Sequence, residues 1–271
     1  MTGVVTMVNG KLSDTLPASD RGLLYGDGFF ATLAIREAQP RRWEAHLQRL
    51  TQAAQRLGFP ALDTSMLRTE AAQLCSGVER GVLKIVLTRG SGGRGYRPPV
   101  DTIPTRLLQR HPWPDYPPHW AKGGVRVRLC RTRLAIQPAL AGLKHLNRLE
   151  QVLARSEWDD PQIPEGLMLD TADRVICGTM SNVFFVREGV LHTPDVARCG
   201  VAGVTRATIL GEARQRGWPT RIGDFQMQDL LQAQEIFLCN SVIGVWPVAA
   251  LDGYALAPGE LARLIAAALE A

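Results

Sequence analysis

The stretch "LAGLKHLNRLEQ" at residues 140–151 contains the lysine that best indicates the fold and the chemistry of this chain. Lys144 is flanked by Leu143 and Leu146 and directly precedes "NRLEQVLARSEW", whose apolar spacing predicts a helix. Apolar surroundings depress the pKa of a lysine, as an imine-forming amine requires. Taken alone, the pattern also fits a lysine whose stem covers a core while its ammonium reaches water. Lys144 is therefore a candidate Schiff-base residue.

Three other lysines compete for that role. Lys11 follows the hairpin signal Asn9-Gly10 and is expected in solvent. Lys84 lies inside the predicted strand "VLKIVLTRG", and Lys122 precedes a pair of glycines. Neither of these two contexts indicates imine chemistry as clearly as the surroundings of Lys144.

The amino-acid composition limits the classes of protein to which this chain can belong. The chain has 271 residues, of which 45% are hydrophobic and 21% charged, as in ordinary globular proteins. No apolar run approaches the ~18–20 residues that cross a bilayer, and the start "MTGVVTMVNG" lacks the features of a signal peptide. We therefore expect a soluble, cytoplasmic protein without a membrane partner. The five scattered cysteines form no C-x-x-C pair, so we expect buried free thiols, and neither disulfides nor a metal site.

The charge is positive and comes mostly from arginine. The net charge is +5, and all but four of the 31 lysine and arginine residues are arginines. Such a surface suits anionic small molecules, because guanidinium groups form planar pairs with carboxylate and phosphate. Nucleic acid stays open as a ligand, although no block of five or six basic residues occurs.

The order of predicted elements indicates a mixed α/β (α+β) chain with two domains. The proline-rich segment "HPWPDYPPHW" at 111–120 excludes regular structure and marks the boundary. We expect an N-terminal α/β domain at 1–112, a linker at 113–120 and a C-terminal domain at 121–271 that carries Lys144. Short strands at close spacing predict a meander or barrel in the C-terminal domain.

The stretch "RGSGGRGYRPP" at 89–99 contains G-x-G-x-x-G after a predicted strand. A dinucleotide-binding fold needs a helix directly after the last glycine, and the two prolines exclude it. A single copy inside a folded region argues against an RGG-type nucleic-acid segment. Two interpretations stay open: a flexible surface loop, or a mobile loop that carries Arg94, Tyr96 and Arg97 over an anionic ligand.

Three positions suit a phosphate group. "AGVTRATI" places Val204 and Thr205 at the start of a predicted helix, where free amides and the helix dipole attract anions. An ordinary threonine cap is the simpler explanation of that motif. Arg49 lies at the edge of the apolar stripe of the predicted helix 43–57, and Ser241 follows a strand end in "CNSVIGV".

Five motifs occur in order along the chain: "AHLQRL" at 45–50, "LKHLNRL" at 143–149, "GTMSNVF" at 178–184, "GVTR" at 203–206 and "CNS" at 239–241. In this combination the chain resembles the fold-type IV pyridoxal-phosphate (PLP) enzymes, which include branched-chain and D-amino-acid aminotransferases. The resemblance covers essentially the whole chain. "RGSGGRGY" and "LAGLKHLNRLEQVLARS" further resemble the 4-amino-4-deoxychorismate lyases of that family.

The resemblance implies a fold, a cofactor and a set of site residues. The family has an N-terminal α/β sandwich-like domain and a C-terminal barrel-like domain with PLP between them, and its members are usually homodimers. Lys144 would form the Schiff base with PLP. The other cofactor residues that the resemblance implies are Arg49, Val204, Thr205 and Ser241 at the phosphate, and Ser181 and Asn182 near the pyridine ring.

One position departs from the family pattern. Most relatives read V-x-E-G, whose glutamate pairs with the protonated pyridine nitrogen, whereas this chain has Cys177 at the glutamate position. A thiol with a reference pKa of ~8.5 is mostly neutral at pH 7. We therefore expect a weaker electron sink, which favours a lyase over an aminotransferase. Asp170 is an alternative carboxylate for the same role.

The resemblance implies cleavage of 4-amino-4-deoxychorismate to 4-aminobenzoate and pyruvate, a step toward folate. Lys144 would remove the C4 proton, and Lys144 or Thr32 would protonate the leaving enol carbon. The substrate-binding residues expected are Tyr25, Arg94, Tyr96 and Arg97. The alternatives are an aminotransferase of the same fold and, from another class, an arginine-rich nucleic-acid-binding module.

Overall fold

The structure, a computed structural model, describes residues 3–270 and forms two compact units. The first unit extends to Asp115 and includes Lys144–Asn147, and the second contains the other described residues. The division after Asp115 lies inside the segment 113–120 that the sequence predicts as a linker. Lys144 groups with the first unit rather than with the C-terminal domain expected from the sequence, because its backbone pairs with a strand of the first unit.

The first unit is a six-stranded antiparallel sheet with two long helices packed against it. The strand order is β2-β1-β6-β5-β3-β4, so consecutive strands are not always neighbours. Its elements are β1 (Val5–Val8), β2 (Lys11–Leu12), α1 (Arg21–Tyr25), β3 (Gly28–Arg36), β4 (Gln39–Pro40), α2 (Trp43–Arg56), α3 (Thr64–Cys75), β5 (Arg80–Thr88) and β6 (Thr105–Pro112).

Side chains of this sheet alternate between two faces. Phe29 and Leu33 point to one face and are almost entirely buried. The ring centre of Phe29 lies 5.0 Å from that of Phe59, just beyond α2, which places this face toward the helices. Phe30 and Thr32 point to the other face and are half-buried. The second face is therefore the one that can present polar groups.

Two local predictions for the first unit have different outcomes. Asn9 and Gly10 have φ values of 48° and 81°, as a type I′ turn requires, so the predicted hairpin is confirmed. The segment 111–120 is only partly irregular, because β6 ends at Pro112 and α4 (His119–Gly123) begins inside it. Proline is tolerated at a strand end and at the start of a helix, where it interrupts no hydrogen-bond ladder.

The second unit contains a nine-stranded sheet that curls into a half-barrel. Eight strands have the order β12-β11-β10-β13-β14-β7-β8-β9, β15 pairs with β14, and β9 approaches β10. The predicted meander or barrel is therefore confirmed. The further elements are β7 (Val125–Leu129), α5 (Leu149–Arg155), β8 (Glu165–Leu169), β9 (Val175–Gly178), β10 (Asn182–Arg187), β11 (Val190–Pro194), α6 (Val204–Gln215), β12 (Thr220–Gly223), α7 (Met227–Leu231), β13 (Glu235–Asn240), β14 (Gly244–Leu251), β15 (Tyr254–Ala255) and α8 (Glu260–Glu270).

Apolar residues cover both faces of the curled sheet. Phe185 and Trp246 belong to one core cluster. Phe184, the next residue along β10, belongs to a second cluster with Ile209 of α6 and Ile265 of α8. The near-continuous apolar runs of these strands follow from burial on both faces. All five cysteines are buried and free, as expected from their spacing. Within residues 3–270, no helix has the length and hydropathy of a membrane span.

Candidate functional site

Lys144 is fixed by backbone pairing with the start of β3. The amide of Phe30 donates to the carbonyl of Lys144 at 2.8 Å, and the amide of Leu146 donates to the carbonyl of Gly28 at 3.0 Å. A Cβ on Gly28 would lie 2.7 Å from the Leu146 side chain and 2.5 Å from the Leu87 carbonyl, so this approach requires glycine. The Lys144 ammonium lies 4.5 Å from the centre of the Phe30 ring. The amine is thus held over an apolar, aromatic surface.

Helix α2 and its N-cap residue supply a buried histidine and two arginines, and the charges of these arginines and of Lys144 act on the histidine. Burial lowers the pKa of His46 to about 3, and the charges of Arg49, Arg42 and Lys144 add to this effect. His46 is therefore neutral at physiological pH. Burial also lowers the pKa of Arg49 to about 10, so its guanidinium stays charged. Within residues 3–270, no carboxylate forms an ion pair with Arg49. This part of the first unit is positively charged and suits an anion.

The second unit has an anion-binding arrangement at the start of α6. The helix begins after Gly203, which is extended (φ −68°, ψ 142°), and no side chain caps it. Its first amides are therefore available to an anion. Thr205 Oγ1 and Ser241 Oγ are hydrogen-bonded to each other at 3.4 Å. A Cβ at Gly203 would overlap Asn182 Oδ1, so glycine lets the helix start lie beside Asn182.

The turn that carries Ser181 is organised by a carboxylate that the sequence interpretation missed. Glu165 is fully buried and accepts four hydrogen bonds from this turn. The donors are the amide and hydroxyl of Thr179, the amide of Met180 at 3.1 Å and the Ser181 hydroxyl at 2.8 Å. Burial raises the pKa of Glu165, and these donors oppose that rise. Next to the turn, Asn182 Nδ2 donates to the Val201 carbonyl at 2.9 Å.

Cys177 lies close to this buried carboxylate. Burial raises the pKa of the Cys177 thiol, and the neighbouring Glu165 and Cys199 add to the rise, so the thiol is neutral at pH 7. The alternative carboxylate, Asp170, holds the β8–β9 turn: Arg174 donates to Asp170 Oδ2 at 2.6 Å, and two backbone amides donate to Oδ1. Its alternative role beside the pyridine nitrogen stays a prediction.

The glycine loop is tied to α1 rather than free. Arg21 donates to the carbonyls of Gly95 and Tyr96, each at 3.0 Å. The Gly95 amide donates to the Tyr25 hydroxyl at 3.3 Å, and the Tyr25 and Tyr96 ring centres are 5.6 Å apart. No helix follows the loop, in agreement with the rejection of a dinucleotide fold. Arg94 remains exposed, as a contact to an external anion requires.

The structure groups the sequence-predicted residues separately within each unit. In the first unit, the candidates around Phe30 and α2 are Lys144, Thr32 and Arg49, and those around the glycine loop are Tyr25, Arg94, Tyr96 and Arg97. In the second unit, they are Cys177, Ser181, Asn182, Val204, Thr205 and Ser241. Sequence reasoning missed Arg21 and Glu165. A glutamate at the start of the otherwise apolar strand "EGLML" is a weak signal for such a buried group.

A family model described as amino-transferase class IV matches residues 28–251, from the first residue of β3 to the last of β14. The chain belongs to this family. Enzymes of the family depend on PLP, and each unit has groups that suit it: the first has the lysine backbone fixed at β3 and an arginine without a carboxylate partner among residues 3–270, and the second has an uncapped helix start. Within the described residues, no cluster of side chains suits a metal ion.

Three similar proteins refine the assignment. Aminodeoxychorismate lyase from Vibrio harveyi is 37% identical over 90% of this chain and 90% of its own length. The crystal structure of 4-amino-4-deoxychorismate lyase from Pseudomonas aeruginosa is 51% identical, covers 98% of both chains and has a TM-score of 0.94. A putative branched-chain-amino-acid aminotransferase from Methanocaldococcus jannaschii is 29% identical over 91% of this chain and 87% of its own length. The identity is higher to the two lyases than to this aminotransferase.

Proposed function

We propose that this protein is a PLP-dependent lyase that converts 4-amino-4-deoxychorismate to 4-aminobenzoate and pyruvate, a step in folate biosynthesis. The observation that carries the proposal is the 51% identity across 98% of both chains with a lyase of that name. The fixed Lys144 and the positive charge around α2 support it, because the reaction needs an amine and the substrate is an anion. Family membership favours an enzyme over a nucleic-acid-binding module.

The family resemblance proposes cofactor-binding residues in each unit. Lys144 supplies the amine that binds PLP covalently, and Arg49 supplies a guanidinium without a carboxylate partner within residues 3–270. The amides at the start of α6, with Thr205 and Ser241, suit the phosphate. Ser181 and Asn182, held by the turn that Glu165 organises, are proposed for the ring.

The chemistry requires removal of one proton, loss of the enolpyruvyl group and delivery of one proton. PLP, when bound, supplies a conjugated ring that accepts electron density from the substrate. We assign removal of the C4 proton to the Lys144 amine. The C3–O bond then breaks and the ring becomes aromatic, so 4-aminobenzoate is formed. Lys144 or the Thr32 hydroxyl delivers a proton to the enol carbon, which gives pyruvate.

The substrate carries two carboxylates, and the glycine loop offers cations for them. Arg94 and Arg97 are exposed on this loop, which Arg21 holds by two backbone carbonyls. Tyr25 and Tyr96 contact each other edge to face and are proposed as walls of the substrate pocket.

The proposal is tested with the purified PLP-loaded enzyme. We expect release of 4-aminobenzoate and pyruvate in equal amounts from 4-amino-4-deoxychorismate, measured by chromatography and by a coupled assay for pyruvate. Lys144→Ala is expected to lose both the yellow colour of the bound cofactor and the activity. A Lys144→Ala variant that stayed yellow and active would contradict the assignment. Transfer of an amino group from an amino acid to the cofactor, without lyase activity, would support an aminotransferase instead.

A homodimer in the cytoplasm is also proposed from the family resemblance. One surface feature supports the dimer: Leu149, Val152 and Leu153 of α5 are 75%, 56% and 61% exposed and share one helix face. Apolar residues grouped on a surface usually mark an interface. Sedimentation of the wild type and of Leu153→Glu checks this, since the charged variant is expected to weaken the dimer.

A further inference from the structure

Glu165, at the start of β8, is fully buried, and both of its carboxylate oxygens accept hydrogen bonds. Oε1 accepts from the amides of Gly166 at 3.0 Å and Thr179 at 2.8 Å, and from the Thr179 hydroxyl. Oε2 accepts from the amide of Met180 at 3.1 Å and from the Ser181 hydroxyl at 2.8 Å. Three amides and two hydroxyls thus converge on one buried side chain.

The donors around Glu165 fit an ionised carboxylate. A backbone amide can only donate, and at least one amide faces each of the two oxygens. A carboxylate that accepts two or three bonds from backbone amides is stabilised in its charged form. A proton on either oxygen would need a hydroxyl to turn round and accept it. Among the described residues no cation pairs with Glu165, so these donors stabilise its charge.

The charge of Glu165 determines which hydrogen bonds the Ser181 hydroxyl can form. A carboxylate only accepts, so the single proton of the hydroxyl is directed to Glu165 Oε2. The hydroxyl then has only lone pairs for a further partner. A serine without such a neighbour can rotate its hydroxyl and either donate or accept. Beside an ionised Glu165, Ser181 can therefore only accept from a ligand.

Gly178 allows the two side chains to approach each other. A Cβ at this position would overlap Ser181 Oγ and would lie 2.7 Å from Glu165 Oε2, so the hydrogen bond between them requires glycine here. The Gly178 amide also donates to the Ser181 carbonyl at 2.8 Å, which fixes the backbone of the turn. The backbone and the side chain of Ser181 are thus held separately, and only the side chain depends on the charge of Glu165.

We propose that Glu165 is a positioning residue that fixes the Ser181 hydroxyl as a hydrogen-bond acceptor for a donor group of bound PLP. This inference rests on the proposed function, which places Ser181 near the cofactor ring. It adds a residue that controls the direction of the hydrogen bond there. Glu165 has no exposed surface, so it reaches the cofactor only through the groups that it holds.

The test compares Glu165→Gln with Ser181→Ala. The NH2 group of a glutamine cannot accept, so it costs fewer bonds at the position of Oε2, which accepts two, than at that of Oε1, which accepts three. There it would donate to Ser181 and turn the hydroxyl proton toward the ligand. We expect each variant to bind PLP about tenfold or more weakly, the effect of losing a charged hydrogen bond, and to have a changed visible spectrum. Both are measured by titrating the full-length protein, freed of cofactor, with PLP.

The double variant Glu165→Gln/Ser181→Ala separates positioning from a general effect on folding. If Glu165 acts through Ser181, the double variant should bind PLP no more weakly than the weaker single variant and should have the spectrum of Ser181→Ala. Thr179→Val is the matched control, because it removes the other hydroxyl that donates to Glu165. It should lower the melting temperature and leave the PLP affinity and the spectrum unchanged.

Effects of Glu165→Gln and Ser181→Ala that add in the double variant overturn the inference, and so do wild-type affinity and spectrum in Glu165→Gln. A Thr179→Val variant as impaired as Ser181→Ala also overturns it, since the turn as a whole would then be responsible. If Glu165→Gln does not fold, Ser181→Ala decides: weaker PLP binding with Thr179→Val unchanged supports the inference, and wild-type binding overturns it. Failure of the proposed function looks different, because the wild type would then release no 4-aminobenzoate while its titration with PLP still reports on Ser181.

Discussion

Arg21 donates through its guanidinium to the main-chain carbonyl of Tyr96, which lies 75 positions further along the chain. The same side chain donates to the carbonyl of Gly95 and, through Nε, to Asp27 at 2.9 Å. Asp27 also accepts from Arg89 at 2.8 Å. Because Arg21 is almost completely buried, these bonds are shielded from water. The glycine loop is thus anchored at Gly95 and Tyr96, which lie between the proposed substrate contacts Arg94 and Arg97.

Replacement of Arg21 by lysine is expected to loosen the loop without removing the cofactor. A lysine keeps the charge but cannot reach Asp27 and two carbonyls with one planar group. We expect KM to rise by about tenfold or more, the effect of losing a buried charged hydrogen bond, with the visible cofactor spectrum preserved. The Gly95 amide, which donates to Tyr25, should exchange its hydrogen faster. The measurements are steady-state kinetics and hydrogen exchange.

Arg126→Lys is the control for Arg21→Lys, because Arg126 is exposed and its ion pair with Asp160 is long, at 3.7 Å. It should leave both KM and exchange unchanged. If Arg21→Lys bound substrate like the wild type and its loop amides exchanged at the same rate, the anchoring role of Arg21 would be wrong.

Local patterns in the sequence identified most of the secondary structure. The helix predicted at 43–57 is α2, and the Asn9-Gly10 signal is a hairpin, because helix periodicity and turn geometry depend on residues close in sequence. The strand alternation around Lys84 likewise placed it inside β5. These features needed no knowledge of tertiary contacts.

Contacts between residues that are distant in the sequence could not be predicted from such local patterns. Arg21 and Glu165 are buried charged residues whose partners come from other turns of the chain, and nothing in their local sequence identifies those partners. Lys144 lies with the first unit because of its pairing with β3, which a linear division of the chain at the prolines does not anticipate.

His46 is expected to make folding stability depend on pH. Its pKa is about 3 in the folded protein, because of burial and neighbouring cations, and about 6.5 when unfolded. Below pH 6.5 the unfolded chain takes up a proton that the folded chain does not, so the free energy of unfolding decreases as the pH falls from 6.5 toward 3. Above pH 6.5 this contribution is fully present. One proton corresponds to about 1.4 kcal/mol per pH unit, and the whole window to roughly 5 kcal/mol at most.

His46→Gln should remove this dependence of the free energy of unfolding on pH. The measurement is urea unfolding of PLP-loaded wild type and variant at pH 7, 6 and 5, values chosen in roughly the range where histidine titrates. The difference between their unfolding free energies should shrink as the pH falls. His119→Gln, at an exposed position, serves as the control. Two parallel curves for wild type and His46→Gln would show that the buried imidazole does not control this dependence.

Cys177 is expected to affect the electron-accepting strength of the bound cofactor, because it places a neutral thiol where a glutamate would place a negative charge. Its thiol is neutral because burial and Glu165 raise its pKa, and Asp170 is already paired with Arg174. Cys177→Glu would introduce the carboxylate that the family resemblance implies at this position, so we expect a changed visible spectrum, a changed lyase rate and more transfer of amino groups from an amino acid to the cofactor. The new carboxylate would also lie close to buried Glu165, so the variant should melt at a lower temperature before PLP is added. Cys177→Ser, which introduces no charge, should keep the wild-type spectrum. If Cys177→Glu had the spectrum and rate of the wild type, the thiol would have no part in tuning the cofactor, and the preference for lyase chemistry would have to arise from the substrate contacts of the glycine loop.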